Sequence, residues 1–187
     1  MKRLIDILLS AMALIIFCIP MLIISIWIKL DSSGPIIFKQ KRSGKDKEIF
    51  EIYKFRTMRI DTPNVSTELL GNPTTYITKS GRFLRKTSLD ELPQLFNILK
   101  GDMSIVGPRP ALYNQYNLIE MRDKVNVNSI RPGLTGYAQI MGRDAISDIE
   151  KVLHDQYYTT NQSLLFDIKI IWATFFSVIK SEGVRMK

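Results

Sequence analysis

Ile7-Leu8-Leu9-Ser10-Ala11-Met12-Ala13-Leu14-Ile15-Ile16-Phe17-Cys18-Ile19-Pro20-Met21-Leu22-Ile23-Ile24-Ser25-Ile26-Trp27-Ile28 is an unbroken run of 22 uncharged residues. How it is read decides the fold. Coiled as a helix it would reach about 33 Å, enough to cross a bilayer core of about 30 Å. Nothing in it supplies the polar face that a helix of a soluble core turns to water. It is too long for the apolar region of a signal peptide, and no small-residue cleavage site follows it before Lys29 and Asp31. The run reads as a membrane segment.

Pro20 removes one backbone hydrogen bond from the middle of that segment and clashes with the carbonyl four residues back, so the helix should bend there. Lys2 and Arg3 precede the run, and Lys29, Lys39, Lys41 and Arg42 follow it. Basic residues at both ends pull both toward the cytoplasm. A helix that enters one leaflet, bends at Pro20 and returns satisfies both flanks, whereas a straight span leaves one of them on the wrong side. The expectation is a re-entrant helix hairpin over residues 1–30 and a cytoplasmic domain over 31–187.

The remaining length suits one globular domain with a core of its own. Lysine and arginine number 26 against 18 acids, a formal charge of +8. That surplus calls for an anionic partner: nucleic acid, an acidic membrane surface or phosphate-bearing small molecules. No nucleic-acid-binding motif accompanies it. Cys18 is the sole cysteine and His154 the sole histidine. An intrachain disulfide and a histidine-rich metal cluster are thereby excluded, and any metal would be held by oxygen ligands, which favours magnesium over zinc.

Asp31-Ser32-Ser33-Gly34-Pro35 is turn chemistry and opens the globular part. Ile36–Lys41 and Ile49–Arg56 read as two strands joined through Arg42–Lys47. Lys54 and Arg56 would share a strand face opposite Tyr53 and Phe55, by default a solvated face beside a packed one. Asp61–Thr78 reads as a loop with a short helix around Glu68, and Ser80–Lys86 as a short basic helix.

Next comes Ser88-Leu89-Asp90-Glu91-Leu92-Pro93-Gln94-Leu95. Proline is tolerated only in a helix's first turn, so Asp90 and Glu91 should lie at the start of a helix that continues through Leu99. A helix start favours ionised carboxylates. Ser88 with Glu91 also matches a capping box, in which both side chains merely satisfy backbone donors. On this stretch alone the two readings are balanced.

Gly101-Asp102 ends that helix, and Met103–Val106 is a short strand. In Gly107-Pro108-Arg109-Pro110, two prolines restrict the backbone on either side of one arginine, which suits a guanidinium that must meet a phosphate in a single geometry. Arg131–Gly136 reads as a turn cluster, Tyr137–Met141 as a strand and Gly142-Arg143 as its tight exit. Ser147 and Glu150 form a second candidate capping box, opening a helix that contains His154 and Asp155. Leu164–Ile179 is apolar with Leu165, Ile168, Trp172, Phe175 and Ile179 at helical spacing. Its longest uncharged run is too short to span, so this stripe packs in the core by default, and its aromatic excess leaves the membrane interface open. No P-loop and no Gly-x-Ser-x-Gly elbow occurs, so the usual signatures of nucleotide and serine hydrolysis are absent.

Lys54-Phe55-Arg56-Thr57-Met58, Arg85–Gln94, Ser104–Pro110, Arg131-Pro132-Gly133 and Gly142-Arg143 occur in the order found in the bacterial sugar transferases, and in this the chain resembles the small monotopic polyprenyl-phosphate phosphoglycosyl transferases. The resemblance covers essentially the whole chain and is strongest to enzymes that initiate capsule and related glycoconjugate synthesis. It implies an α+β, mostly helical fold: a re-entrant membrane helix and a small domain of short strands and amphipathic interfacial helices at the cytoplasmic face of the inner membrane.

The implied activity moves a sugar-1-phosphate from a UDP-sugar to undecaprenyl phosphate. Asp90 is implied as the nucleophile, forming an aspartyl-phosphosugar and expelling UMP, and Glu91 as a ligand of Mg2+. Lys54, Arg85, Arg109 and Arg143 are implied at the substrate phosphates, and Asp155 at a further polar site position of open role. An N-acetylated amino sugar, 6-deoxy sugars included, is the donor the resemblance implies; membrane lipids are an expected partner, nucleic acid is not, and a homo-oligomer is left open. The family's bend is often Ser-Pro, whereas this chain has Ile19-Pro20, without the hydroxyl that could bond a freed carbonyl. Two other readings remain: a glycosyltransferase that releases UDP, and a non-catalytic membrane-anchored scaffold.

Overall fold

The apolar run lies within a single helix, α1 (Lys2–Asp31), which continues through Pro20. The computed structural model describes residues 1–63, 73–142 and 145–179; the short helix expected around Glu68 lies outside them. Both ends of α1 are fastened to the domain. At its start, Arg3 donates from Nη1 to the Ile98 carbonyl at 2.7 Å and from Nη2 to that of Leu99 at 3.1 Å. These carbonyls belong to the last turn of α3 (Gln94–Lys100), where intrahelical donors run out: Ile98 is also served by the Gly101 amide at 3.1 Å. Asp6 accepts from Ser104 Oγ at 2.8 Å and from the Ile105 amide at 3.2 Å, and Lys2 pairs with Asp167 at 2.6 Å.

At the far end, the Asp31 carboxylate accepts from the backbone N–H and the hydroxyl of Ser80, at 2.8 and 2.7 Å. Ser80 lies in the first turn of α2 (Lys79–Thr87), where orphan amides and the helix dipole favour an anion. Ile24 and Ile28 pack beside it against Phe55 and Leu84. Between these anchorages, every residue from Ile15 to Pro20 is exposed. Just before and after this stretch Ala13, Leu14 and Met21 pack on the domain, and within it Ile15, Ile16 and Ile19 form the outward face.

β1 (Ile37–Ser43) and β2 (Ile49–Phe55) form the antiparallel hairpin, with Phe38 opposite Lys54 and Arg42 opposite Phe50. Directly opposed residues share a face, so Arg42, Ile52 and Lys54 point the same way. Ile52 packs there on Leu95, Ile98 and Met103. A second, parallel pair joins β3 (Ser104–Val106) to β4 (Gly133–Thr135).

Two local expectations fail here. The cluster Arg131–Gly136 contains strand β4, and Tyr137–Met141 is not a strand but a short helix, α5. In the first case the glycines permit close pairing: a Cβ on Gly133 or Gly107 would strike the other's backbone. In the second, five residues are too few for hydrophobic period to separate helix from strand.

α4 (Tyr116–Lys124) precedes this region. α6 (Asp148–Thr160) follows it and begins with the expected capping box, Ser147 with Glu150. α7 (Leu164–Ile179) overturns the core-packing expectation for its main stripe: Leu165 is 74% exposed, Ile168 61%, Trp172 65% and Phe175 57%. Its inward face holds Ile170 and Asp167 instead. Asp167 accepts from Lys2 and from Tyr158 Oη at 2.7 Å, and these buried polar bonds fix the helix rotation that leaves the apolar stripe outside.

Arg3→Ala would strip donors from the last turn of α3 and detach the start of α1. A cost of about 1–3 kcal/mol is expected for buried acceptors left unpaired, read as a lower thermal midpoint of the detergent-solubilised protein. An unchanged midpoint would show that water replaces the guanidinium without loss.

Candidate active site

α2 stops at Ser88, whose φ of 56° lies in the left-handed region and turns the chain. One turn of 3-10 helix, Leu89–Glu91, follows directly, and Pro93 leads into α3. Ser88 makes no side-chain cap bond to this turn. Glu91 points elsewhere: its Oε1 accepts from Lys54 Nζ at 2.7 Å and from Arg109 Nη2 at 3.1 Å. The balance between capping box and ionic site is thus decided by two cations from distant parts of the chain. Lys54 is half-buried on this site, and Arg56 is buried with its Nη2 on the Ser32 carbonyl, so the solvated-face reading of the pair is set aside.

Asp90 stands beside Glu91 and is half-buried. Burial pushes its carboxyl up to about 6, and the Glu91 charge adds to the rise, while Lys54, Arg85 and Arg109 pull it down. The same burial draws the Lys54 ammonium below its ordinary value, against the opposing field of Glu91. A carboxylate raised in this way is ionised near neutral pH and poorly solvated, which suits a nucleophile or a metal ligand.

Arg109 is held through its backbone. The Gly107 amide donates to the Thr135 carbonyl at 2.9 Å, and the Pro108 carbonyl accepts from the Gly133 amide at 2.9 Å. The Arg109 carbonyl accepts from Arg122 Nη1 at 2.8 Å, that of Pro110 from Arg42 Nη1 at 3.0 Å, and that of Ala111 from the Ser43 amide at 3.0 Å. Four successive carbonyls are therefore pinned by β4, α4 and β1. The prolines fix φ and these bonds fix the rest, so the guanidinium is delivered to Glu91 from a backbone held in place.

Arg122 is itself set by Asp155, whose Oδ2 accepts from Arg122 Nε at 3.0 Å and Nη2 at 2.6 Å. Asp155 is 1% exposed. The polar site position of open role thus lies behind Arg109, paired with Arg122, which in turn bonds the Arg109 carbonyl. Arg85 is near enough to lower the Asp90 carboxyl, Arg143 lies outside the described residues, and Pro20 is exposed in the middle of α1.

Two residues of this constellation carried no sequence signal of their own. Arg122 has its acidic partner 33 positions away. Arg42 reads as membrane flank until the hairpin register puts it on the face of Lys54. Among the described residues no group of three metal-ligating side chains occurs. Two adjacent carboxylates are a donor set that fits Mg2+, which commonly takes one or two carboxylates and completes its shell with phosphates and water.

A sequence profile described as bacterial sugar transferase matches residues 1–181. The chain is 41% identical to the uncharacterized sugar transferase EpsL of Bacillus subtilis over 99% of its own length and 90% of EpsL. It is 43% identical to the UDP-glucose:undecaprenyl-phosphate glucose-1-phosphate transferase of Escherichia coli, over 94% of the chain and 39% of that protein. It is 40% identical to the undecaprenyl-phosphate galactose phosphotransferase of Salmonella typhimurium, over 98% of the chain and 41% of that protein. The chain thus spans most of EpsL and about two fifths of the two longer relatives.

Because the Asp90 carboxyl is raised in the fold to about 6, its ionised form costs stability. That cost is absent below the unfolded value, about 3.9, and grows as pH rises through the folded one. Asp90→Asn should therefore raise the thermal midpoint at pH 7.5, by roughly 2–4 °C per kcal/mol recovered, and the gain should vanish near pH 4. A gain that persists at pH 4 would point to packing and not to charge.

Proposed function

Since the chain belongs to the bacterial sugar transferase family, we propose that it is a membrane-associated phosphoglycosyl transferase, moving a sugar-1-phosphate from a UDP-sugar to undecaprenyl phosphate in the first membrane step of capsule or other glycoconjugate synthesis. The observation that carries the reading is the pairing of Asp90, ionised but poorly solvated, with a Glu91 that gathers Lys54 and Arg109 around it.

In the first step an Asp90 oxygen attacks the sugar-bearing phosphorus of the donor. A new P–O bond forms, the bond to the bridging oxygen breaks, and UMP leaves. In the second step a phosphate oxygen of undecaprenyl phosphate attacks the same phosphorus and frees the Asp90 carboxylate, giving undecaprenyl-diphosphate-sugar. Splitting one displacement into two predicts ping-pong kinetics. Lys54 and Arg109 lower the repulsion between carboxylate and diphosphate, and Arg109 is the more accessible of the two, its side chain being 35% exposed against 17% for Lys54. Arg85, on α2, and Arg143 serve the substrate phosphates. Glu91 would hold Mg2+, which when bound supplies positive charge that polarises the leaving diphosphate.

The membrane reading is supported from two sides. α1 turns Ile15, Ile16, Ile19, Leu22 and Ile23 away from the domain while Ala13, Leu14, Met21, Ile24 and Ile28 pack on it, which gives the helix an exposed apolar face for a bilayer to cover. The exposed Leu165, Ile168, Trp172 and Phe175 of α7 form an apolar stripe of the kind that lies in a membrane interface. Both would keep the site at the cytoplasmic face, where UDP-sugars are available. The donor we favour is an N-acetylated amino sugar.

With undecaprenyl phosphate, Mg2+ and a panel of UDP-sugars, UMP should be released and UDP should not; release of UDP would instead mark a plain glycosyltransferase. Asp90→Asn should lower turnover by several orders of magnitude, and undiminished turnover would sink the nucleophile assignment. The acid limb of kcat/KM should fall with an apparent pKa near 6, because only the ionised Asp90 attacks. Chelation of the metal should abolish transfer, with Mg2+ restoring it.

A further inference from the structure

Arg42 has no role in the scheme above, and its position calls for one. It lies on β1 and shares the hairpin face of Lys54. Its Nη1 donates to the Pro110 carbonyl at 3.0 Å and its Nη2 to Gln40 Oε1 at 2.7 Å. Its Nε is buried with no hydrogen-bond partner. Both bonds go to uncharged oxygens, and a neutral amide side chain could make at least one of them. Among the described residues no carboxylate forms an ion pair with Arg42.

The charges around it make this arrangement costly. Burial pulls the guanidinium down to about 10, the Arg109 guanidinium lowers it further, and only Glu91 acts in its favour. Glu91 already accepts from Lys54 and Arg109 through one oxygen. Arg56 gives a useful contrast, since that other buried guanidinium of the hairpin has the Asp31 carboxylate as its charge partner. Around Asp90 and Glu91 the fold thus gathers Lys54, Arg85, Arg109 and Arg42, four cations against two carboxylates. Holding like charges together in a poorly solvated place destabilises the ligand-free protein, and an arriving polyanion relieves it.

We propose that Arg42 is a further phosphate-binding residue of the transfer site, its guanidinium joining that of Arg109 on the diphosphate of the nucleotide-sugar donor. The inference rests on the transferase reading and sharpens it: the hairpin supplies two cations to the donor, Lys54 from β2 and Arg42 from β1. The backbone bond to Pro110 makes the placement mutual, because Arg42 helps to pin the segment that carries Arg109 while it stands beside Arg109 itself. Donor binding draws both guanidiniums onto one group of oxygens.

The test is calorimetric binding of UDP, which cannot transfer a sugar, to the full-length protein in Mg2+, with Arg42→Gln and Arg42→Lys beside the wild type. Arg42→Gln should weaken UDP binding by about tenfold or more, the scale of one charge-assisted contact, while its thermal midpoint without ligand stays level or rises. Arg42→Lys, which keeps the charge, should stay within about threefold of the wild type. A folded Arg42→Gln variant that binds UDP within about twofold of the wild type would make Arg42 a structural strut only. An Arg42→Lys variant as weak as Arg42→Gln would equally overturn the role of charge. If the wild type binds neither UDP nor any UDP-sugar, the transferase reading and this inference fall together; intact wild-type binding beside an unaffected Arg42→Gln removes the inference alone.

Discussion

One carboxylate oxygen, Oε1 of Glu91, holds the site together. It takes Lys54 from β2 and Arg109 from the 107–110 segment, and so ties the hairpin, the 3-10 turn after α2 and the loop after β3 at one point. Glu91 is buried, so these are contacts in a medium where an unpaired charge is expensive and a paired one is held firmly. Asp90, one residue earlier, is placed by the same turn, and burial together with the Glu91 charge outweighs the nearby cations and raises its carboxyl to about 6. Adjacent residues of the same chemical type thereby receive different surroundings, Glu91 bonded to two cations and Asp90 held with a raised pKa.

Around that point the structure holds backbone and not side chain. Gly107 through Ala111 are fixed by bonds to β4, α4 and β1, with the Arg122–Asp155 pair as the deepest support. Fixing the chain while leaving a guanidinium partly exposed provides a cation that can change partners without loss of position. Such preorganisation matters for phosphoryl transfer, where catalysis is mostly placement and charge.

The long helix α1 follows a similar principle. Its anchors exploit unsatisfied backbone groups of other helices: Arg3 serves the carbonyl end of α3 and Asp31 the amide end of α2. Both are the helices that flank Asp90 and Glu91 in sequence. The membrane segment and the reactive turn are therefore mechanically joined, and a helix that is apolar at its centre depends on charged residues at its ends for its place in the molecule.

The sequence by itself determined a great deal where the signal was local. The 22-residue apolar run, the turn after Asp31, the two hairpin strands, the capping box at Ser147 and the helix start at Pro93 are all set by neighbouring residues. Ordered motifs also fixed the family and singled out Asp90 and Glu91. Tertiary structure alone decided the questions that depend on distant partners. It chose ionic site over helix cap at Ser88–Glu91, gave Asp155 a place behind Arg109, turned the α7 stripe outward and brought Arg42 to the site. In each case the deciding contact joins residues far apart in the chain, such as Arg122 with Asp155 or Lys2 with Asp167. A local pattern records what a segment can bury or bond, and only packing determines which partner is there to meet it.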